Sequence, residues 1–233
     1  IVATHAAGVP AAARLASTMM GDDGAAVCLS NGGGHGHTLA TAVGPHRALH
    51  GVTYQAVKRG SDGRAERCGV GDTCFGGVEA GVGLEAAAAR LADMLTAAGL
   101  PSQALTSHDA DAAVWRKLVV NSVINPLTAL LRVPNGGLLH LTPHWEAVFE
   151  ALVVEAVAVA HATGVPIETR AADVRHVCEA TATNTSSMLA ATLAGAATEV
   201  GAITGHVVSV ASTVGVPVPT HKEVLARLGT QSH

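Results

Sequence analysis

Rings are almost missing from this chain: its 233 residues include two Phe, one Tyr and two Trp. Any core must therefore be filled by small and aliphatic side chains, and hydrophobic residues still make up 48% of the sequence, which excludes a disordered chain. Charge is scarce as well, at 14% of residues with a net charge of −4. No cluster of Lys and Arg exceeds single pairs such as Lys58-Arg59, so the electrostatic footprint of a nucleic-acid or anionic-membrane partner is missing. No apolar run approaches the roughly 20 residues that cross a bilayer. The stretch Ala151 to Ala160 is interrupted by Glu155 and ends at His161. The four cysteines, Cys28, Cys68, Cys74 and Cys178, form no CxxC pair and lack the density of a disulfide scaffold, which points to a reducing, cytoplasmic setting. His35 and His37, in Asn-Gly-Gly-Gly-His-Gly-His, have no further donors at tetrahedral spacing, so they read as loop histidines and no metal is expected.

What is present falls into two halves. Up to about residue 105, short β-like runs alternate with glycine-rich turns and small helices, in α/β order. Expected there are a strand end at Ile1 to Thr4, a helix at Pro10 to Met20, strands at Gly24 to Leu29, Ala48 to Val57 and Arg64 to Val70, and a helix at Gly83 to Ala98 stopped by Gly99 and Pro101. From about 106 the β signals fade. Helical patterns cover about 109 to 132, 143 to 163, 168 to 180, 185 to 213 with a break, and 220 to 228, two of them closed by Gly164-Val165-Pro166 and Gly215-Val216-Pro217. The expected organisation is thus a partial dinucleotide-binding-like domain over 1–105 and an all-helical domain over 106–233, with a ligand cleft where they meet.

The segment from Trp115 to Gly136 carries the most chemistry. Lys117, Asn121 and Asn125 stand at i, i+4 and i+8, and at about 100° per residue they share one helix face. An ammonium and two carboxamides are costly to bury unpaired, so the stripe faces either internal partners or a wet cleft. Pro126 has no N–H and is expected to kink or break the helix beside Asn125, freeing carbonyls for a ligand. The competing readings are a snorkelling lysine and asparagines that join helices inside the core.

Trp115-Arg116-Lys117-Leu118, Asn121, Asn125-Pro126-Leu127-Thr128-Ala129 and Pro134-Asn135-Gly136 together resemble the signature of the ketopantoate (2-dehydropantoate 2-) reductase family. Asn184-Thr185-Ser186-Ser187-Met188 resembles that family's Asn-x-Ser-Ser-Met segment, and Thr198-Glu199 with Ile203 and Gly205 its Thr-Glu-Ile-Asp-x-Ile-Asn-Gly segment. Ser30-Asn31-Gly32 resembles its turn after a cofactor-domain strand. The resemblance implies an incomplete Rossmann-like NADP-binding domain followed by a helical substrate domain, and NADPH-dependent reduction of a small 2-oxo acid, ketopantoate, to pantoate on the route to pantothenate and coenzyme A. It implies Lys117 as general acid, Glu199 as a substrate and lysine-orienting group, and Asn121, Asn125, Asn135 and Ser187 as substrate binders. Asn31 and His5 would lie on the cofactor side, His5 where the family has a lysine. Ser186 and Ser187 also read as helix caps, and Glu199 as an ordinary helix-face carboxylate, its segment having Gly201 for the family's Asp and Thr204 for its Asn.

One family feature is missing. No glycine cluster forms Gly-x-Gly-x-x-Gly after a strand: Gly69-Val70-Gly71 runs on to Cys74, Gly81-Val82-Gly83 to Ala86, and Gly32-Gly33-Gly34 to His37. Aligned with the family, Ile1 falls near the fourth strand of the cofactor sheet, leaving roughly 60 residues, two βαβ units, unrepresented. The chain therefore reads as a fragment of the reductase. The alternatives are a non-catalytic remnant acting as a binding or dimerising module, and a reductase of a related 2-oxo acid. A homodimer is left open. Titrated alone, the 233-residue chain is expected to show no NADPH binding; micromolar binding measured by fluorescence or calorimetry overturns that expectation.

Overall fold

The computed structural model describes residues 1–59 and 63–229, and its backbone divides into two compact units, 1–114 and 115–233. The first unit begins with helix α1 (Val9–Met19), strand β1 (Ala26–Cys28), helix α2 (His35–Val43) and strand β2 (Ala48–Thr53). Strands β3 (Ala56–Arg59) and β4 (Ala65–Gly69) follow, then β5 (Thr73–Gly77), helix α3 (Val82–Ala97) and β6 (Ser102–Ala104). The sheet order is β1-β2-β5-β6, with β1/β2 and β5/β6 parallel and β2/β5 antiparallel, while β3 and β4 form a separate antiparallel ribbon. Beside β1, Val2 alone forms a parallel bridge to Cys28.

Strand alternation puts neighbouring residues on opposite faces of this sheet, and both faces are covered. Cys28 and Ala48 pack with Val9 and Ala13 of α1 and Leu39 and Val43 of α2. Val27, Leu49 and Phe75 pack with Leu84, Ala88 and Ala92 of α3. The result is a Rossmann-like three-layer arrangement with parallel crossovers through α2 and α3.

Three expectations for this unit change. The segment Ala48 to Val57 is two strands, because the chain leaves the four-stranded sheet at Tyr54 and Gln55 to pair with β4. The histidines of the glycine-rich stretch open a helix instead of a loop: Gly34 takes the left-handed conformation (φ 77°) before the first turn, and Leu39, Ala40 and Val43 supply the buried stripe. Strand β5 was hidden by its glycines, Gly76 and Gly77, although all but one of its residues are buried.

Helix α4 (Ser107–Leu131) runs from the first unit into the second. After it come a short 3-10 helix (Asn135–Leu139) and helices α5 (Pro143–Ala162), α6 (Ala171–Ala180), α7 (Ser187–Leu193), α8 (Thr204–Val214) and α9 (Pro219–Gly229). The expected break within 185–213 lies between α7 and α8. Pro126 does not break α4. A proline removes one backbone hydrogen bond, and burial of Ile124, Leu127 and Ala129 around it keeps the helix continuous.

A polar node joins three of these helices. Glu155, in the middle of α5, accepts the backbone N–H of Thr220 (2.8 Å) and of His221 (2.9 Å) in the first turn of α9. His221 Nδ1 lies 2.8 Å from the same carboxylate, and its Nε2 lies 3.4 Å from Ser122 Oγ on α4. His221 is fully buried. Burial alone would push the Glu155 carboxyl up, but the hydrogen bonds from His221 and Thr220 outweigh it and hold the group below its usual range. Because its pKa is depressed by folding, the carboxylate stabilises the protein above the ordinary value of 4.5, and this contribution fades as pH falls through the lower folded value. Glu155→Gln is expected to cost roughly 2–4 kcal/mol at neutral pH. Urea unfolding should show that difference shrinking on acidification, and a pH-independent difference would contradict the assignment.

Candidate functional site

On α4, Lys117 and Asn121 are half-buried and Asn125 is buried, so the polar stripe is most enclosed at its C-terminal end. The remaining faces hold Leu118, Val119, Val123, Ile124 and Leu127 in the core. Pro126 offers no N–H to the Ser122 carbonyl one turn earlier. Just past the proline, Thr128 Oγ1 lies 2.8 Å from the Ile124 carbonyl and 3.0 Å from that of Asn125, a side-chain back-bond to its own helix.

The other expected substrate-side residues also fall in the second unit. Asn135 opens the 3-10 helix and is buried; its Nδ2 donates to Thr181 Oγ1 at 2.9 Å and its backbone N–H to the Asn184 carbonyl at 3.0 Å. Ser186 is buried and caps α7, accepting the Leu189 N–H at 3.1 Å, and its Oγ meets Thr128 Oγ1 at 2.7 Å. Ser187, the first residue of α7, is exposed. Glu199 is half-buried in the turn before α8, and its carbonyl accepts the N–H groups of Ala202 and Ile203. Sequence spacing did not reveal the Thr128–Ser186 and Asn135–Thr181 bonds, which link residues 58 and 46 positions apart.

Asn31 and His5 belong to the first unit, and both are exposed. The Thr4 N–H donates to Ser30 Oγ at 3.3 Å, holding the segment with His5 beside the turn with Asn31. The Asn31 carbonyl lies 3.0 Å from His35 Nε2. Helix α2 starts behind this turn with no side-chain cap, so the helix-end N–H groups and the exposed Asn31 amide form a polar rim at the C-terminal end of β1.

The chain Ser122–His221–Glu155 has the residue types and order of a nucleophile, base and acid, but no reactant could reach it, because Ser122 and His221 are fully buried. It is a structural strut. Two thiols are equally withdrawn: burial pushes Cys178 up to about 11 and raises Cys28 as well, so neither of these is a ready nucleophile at neutral pH. Among the described residues, no helix is long and apolar enough to cross a membrane. A fluorophosphonate probe should leave Ser122 unmodified in the native protein, and stoichiometric labelling by intact mass would show that the strut is open.

Comparison with known proteins bears on both units. The model for ketopantoate reductase PanE/ApbA matches residues 1–80, and the model for its C-terminal region matches residues 109–231. The 2-dehydropantoate 2-reductase of Archaeoglobus fulgidus is 33% identical over 204 residues, covering 88% of this chain and 67% of that protein. That of Halobacterium salinarum is 36% identical over 199 residues, covering 84% and 64%. The chain thus spans about two thirds of the length of these relatives. A crystal structure of 2-dehydropantoate 2-reductase from Geobacter metallireducens superposes with a TM-score of 0.87 at 23% identity, covering 98% of this chain and 75% of that one, which establishes likeness of fold. D-mandelate dehydrogenase, in a ternary structure with NADH and anilino(oxo)acetate, gives 0.87 at 22% identity over 98% and 74%. With model matches to both units and relatives a third identical along most of its length, this chain belongs to the ketopantoate reductase PanE/ApbA family.

Proposed function

We propose that the protein carrying these residues reduces the ketone of 2-dehydropantoate to the alcohol of pantoate, with NADPH as reductant, on the route to pantothenate and coenzyme A. The observation that carries this reading is the stripe Lys117, Asn121 and Asn125 on one face of α4, inside the region matched by the family's C-terminal model. Relatives covering most of the chain bear the name of that reaction.

The fit to a dinucleotide is partial. The polar rim formed by Asn31 and the start of α2 suits the nicotinamide end, with His5 held close to it. A Gly-x-Gly-x-x-Gly turn for the pyrophosphate does not occur in the sequence, so no residue here is assigned to that role. When bound, a nicotinamide cofactor supplies the hydride that arrives at the carbonyl carbon.

The work of the protein's own groups is positioning and charge stabilisation. Negative charge grows on the carbonyl oxygen as the carbon is reduced, and the Lys117 ammonium stabilises that charge and then donates its proton. Half-burial favours this role: the ammonium keeps access to a reactant, while reduced hydration strengthens its attraction for the oxyanion. Glu199 binds the substrate hydroxyl and orients Lys117, Asn121 and Asn125 donate to substrate oxygens, and Ser187 binds the carboxylate. The proposed setting is the cytoplasm, which suits the free thiols Cys28, Cys74 and Cys178, and the proposed partner is the small 2-oxo acid. In the full-length protein, Lys117→Ala is expected to lower kcat for 2-dehydropantoate about 10²- to 10⁴-fold, followed as NADPH oxidation. An unchanged kcat would reject Lys117 as the acid.

A further inference from the structure

We infer that His50 is a positioning residue for the cofactor side: its ring is a wedge between α2 and the start of α4 that seats the first turn of α2 behind the Asn31 turn. The inference begins with strand register. His50, in β2, stands beside Cys28, the last residue of β1, and opposite Gly76 of β5. Paired residues share a sheet face, and so do Ala48 and Val52, two positions away along the strand. Cys28, Ala48 and Val52 are all buried, and so is His50. An imidazole among such neighbours needs both space and a polar partner.

Two glycines make the space. Gly36 lies in the first turn of α2, and a Cβ on it would stand 2.7 Å from the Cβ and Nδ1 of His50 and 2.8 Å from its Cγ. A Cβ on Gly76 would stand 2.7 Å from the Leu105 and Thr106 carbonyl oxygens and 3.0 Å from the Ala110 Cβ, so the chain entering α4 presses onto the sheet beside the ring. That approach brings the partner. Asp111 Oδ1, on α4, lies 3.2 Å from His50 Nε2, the ring being buried and the carboxylate partly exposed. A carboxylate only accepts, so the nitrogen facing it carries a hydrogen. Nε2 is enclosed and makes no aligned hydrogen bond, which leaves electrostatic attraction to Asp111 as the tether. The same turn of α2 reaches the rim: His35 Nε2, one residue before Gly36, lies 3.0 Å from the Asn31 carbonyl. Without the ring, Gly36 faces a void, and this helix start has no side-chain cap to compensate.

The consequence for the cofactor rests on the proposed role of Asn31, so one arm of the test does without it. Hydrogen exchange of the full-length, ligand-free protein reads the wedge. His50→Ala and Gly36→Ala are each expected to speed exchange over residues 31–40 about tenfold, the first by leaving a void and the second by forcing the helix off the ring. These defects offset each other, so the double variant exchanges more slowly than either single one. Asp111→Ala speeds the same amides about threefold with His50 present and has no effect once His50 is Ala. Effects of Gly36→Ala and His50→Ala that simply multiply overturn the wedge, and an Asp111→Ala effect that persists without the ring overturns the tether, whatever the protein reduces. In the second arm NADPH is titrated into the same full-length variants without substrate. His50→Ala weakens binding about tenfold and the double variant recovers it, while kcat for 2-dehydropantoate at saturating NADPH is little altered. Faster exchange with unchanged NADPH affinity overturns the claim that the wedge positions the cofactor side.

Discussion

The helical unit depends on one buried carboxylate. Glu155 sits among apolar neighbours in α5 and gathers the first turn of α9 and the ring of His221, which extends the contact to α4. Packing between helices rich in Ala and Val is close but weakly directional, since small side chains interlock less than large ones and tolerate sliding. A carboxylate that must receive particular N–H groups tolerates no such sliding, because any displacement leaves a buried charge unpaired. The node therefore sets the axial register of α4 against α5 and α9, and with it the height at which the Lys117 stripe is presented.

Around that stripe, α4 departs from regularity in a controlled way. Pro126 takes one donor from the helix, yet the helix continues because the cost is confined to a single carbonyl and the flanking residues are deeply packed. Thr128 then serves two directions at once, bonding back to its own helix and outward to Ser186. The most enclosed part of the polar face is thus also the part most firmly joined to the following segments. Chemistry that needs a fixed oxygen-binding geometry gains from such support, since small displacements of positioning groups are expensive in rate.

Helices were legible wherever apolar residues recur at helical spacing and a Gly-Val-Pro stop follows, as at the ends of α5 and α8. The Lys117, Asn121 and Asn125 stripe was legible for the same reason, being a pattern local to one helix. Local reasoning failed where glycine carried two meanings. Beside Gly76 and Gly77 it hid a buried strand, and before His35 it suggested a loop where it sets up a helix start. It failed also at Tyr54, where a continuous β pattern gives no sign that the chain changes sheets. The bonds that organise the second unit join residues 46 to 99 positions apart, and no periodicity encodes such meetings. Only folding reveals that Glu155, read first as an interruption in an apolar run, is the hub of a network.

The poverty in rings has a practical side. Both indoles, Trp115 and Trp145, lie in the second unit, one tilted against His206 at 6.3 Å and the other edge-on to His144 at 5.3 Å, whereas the single tyrosine, Tyr54, lies in the first. Emission excited at the red edge of protein absorbance therefore reports on the helical half alone, and the sheet half is spectrally silent under that light. The molecule carries a built-in optical label in its second unit, at Trp115 on the helix that both units share and at Trp145 on α5.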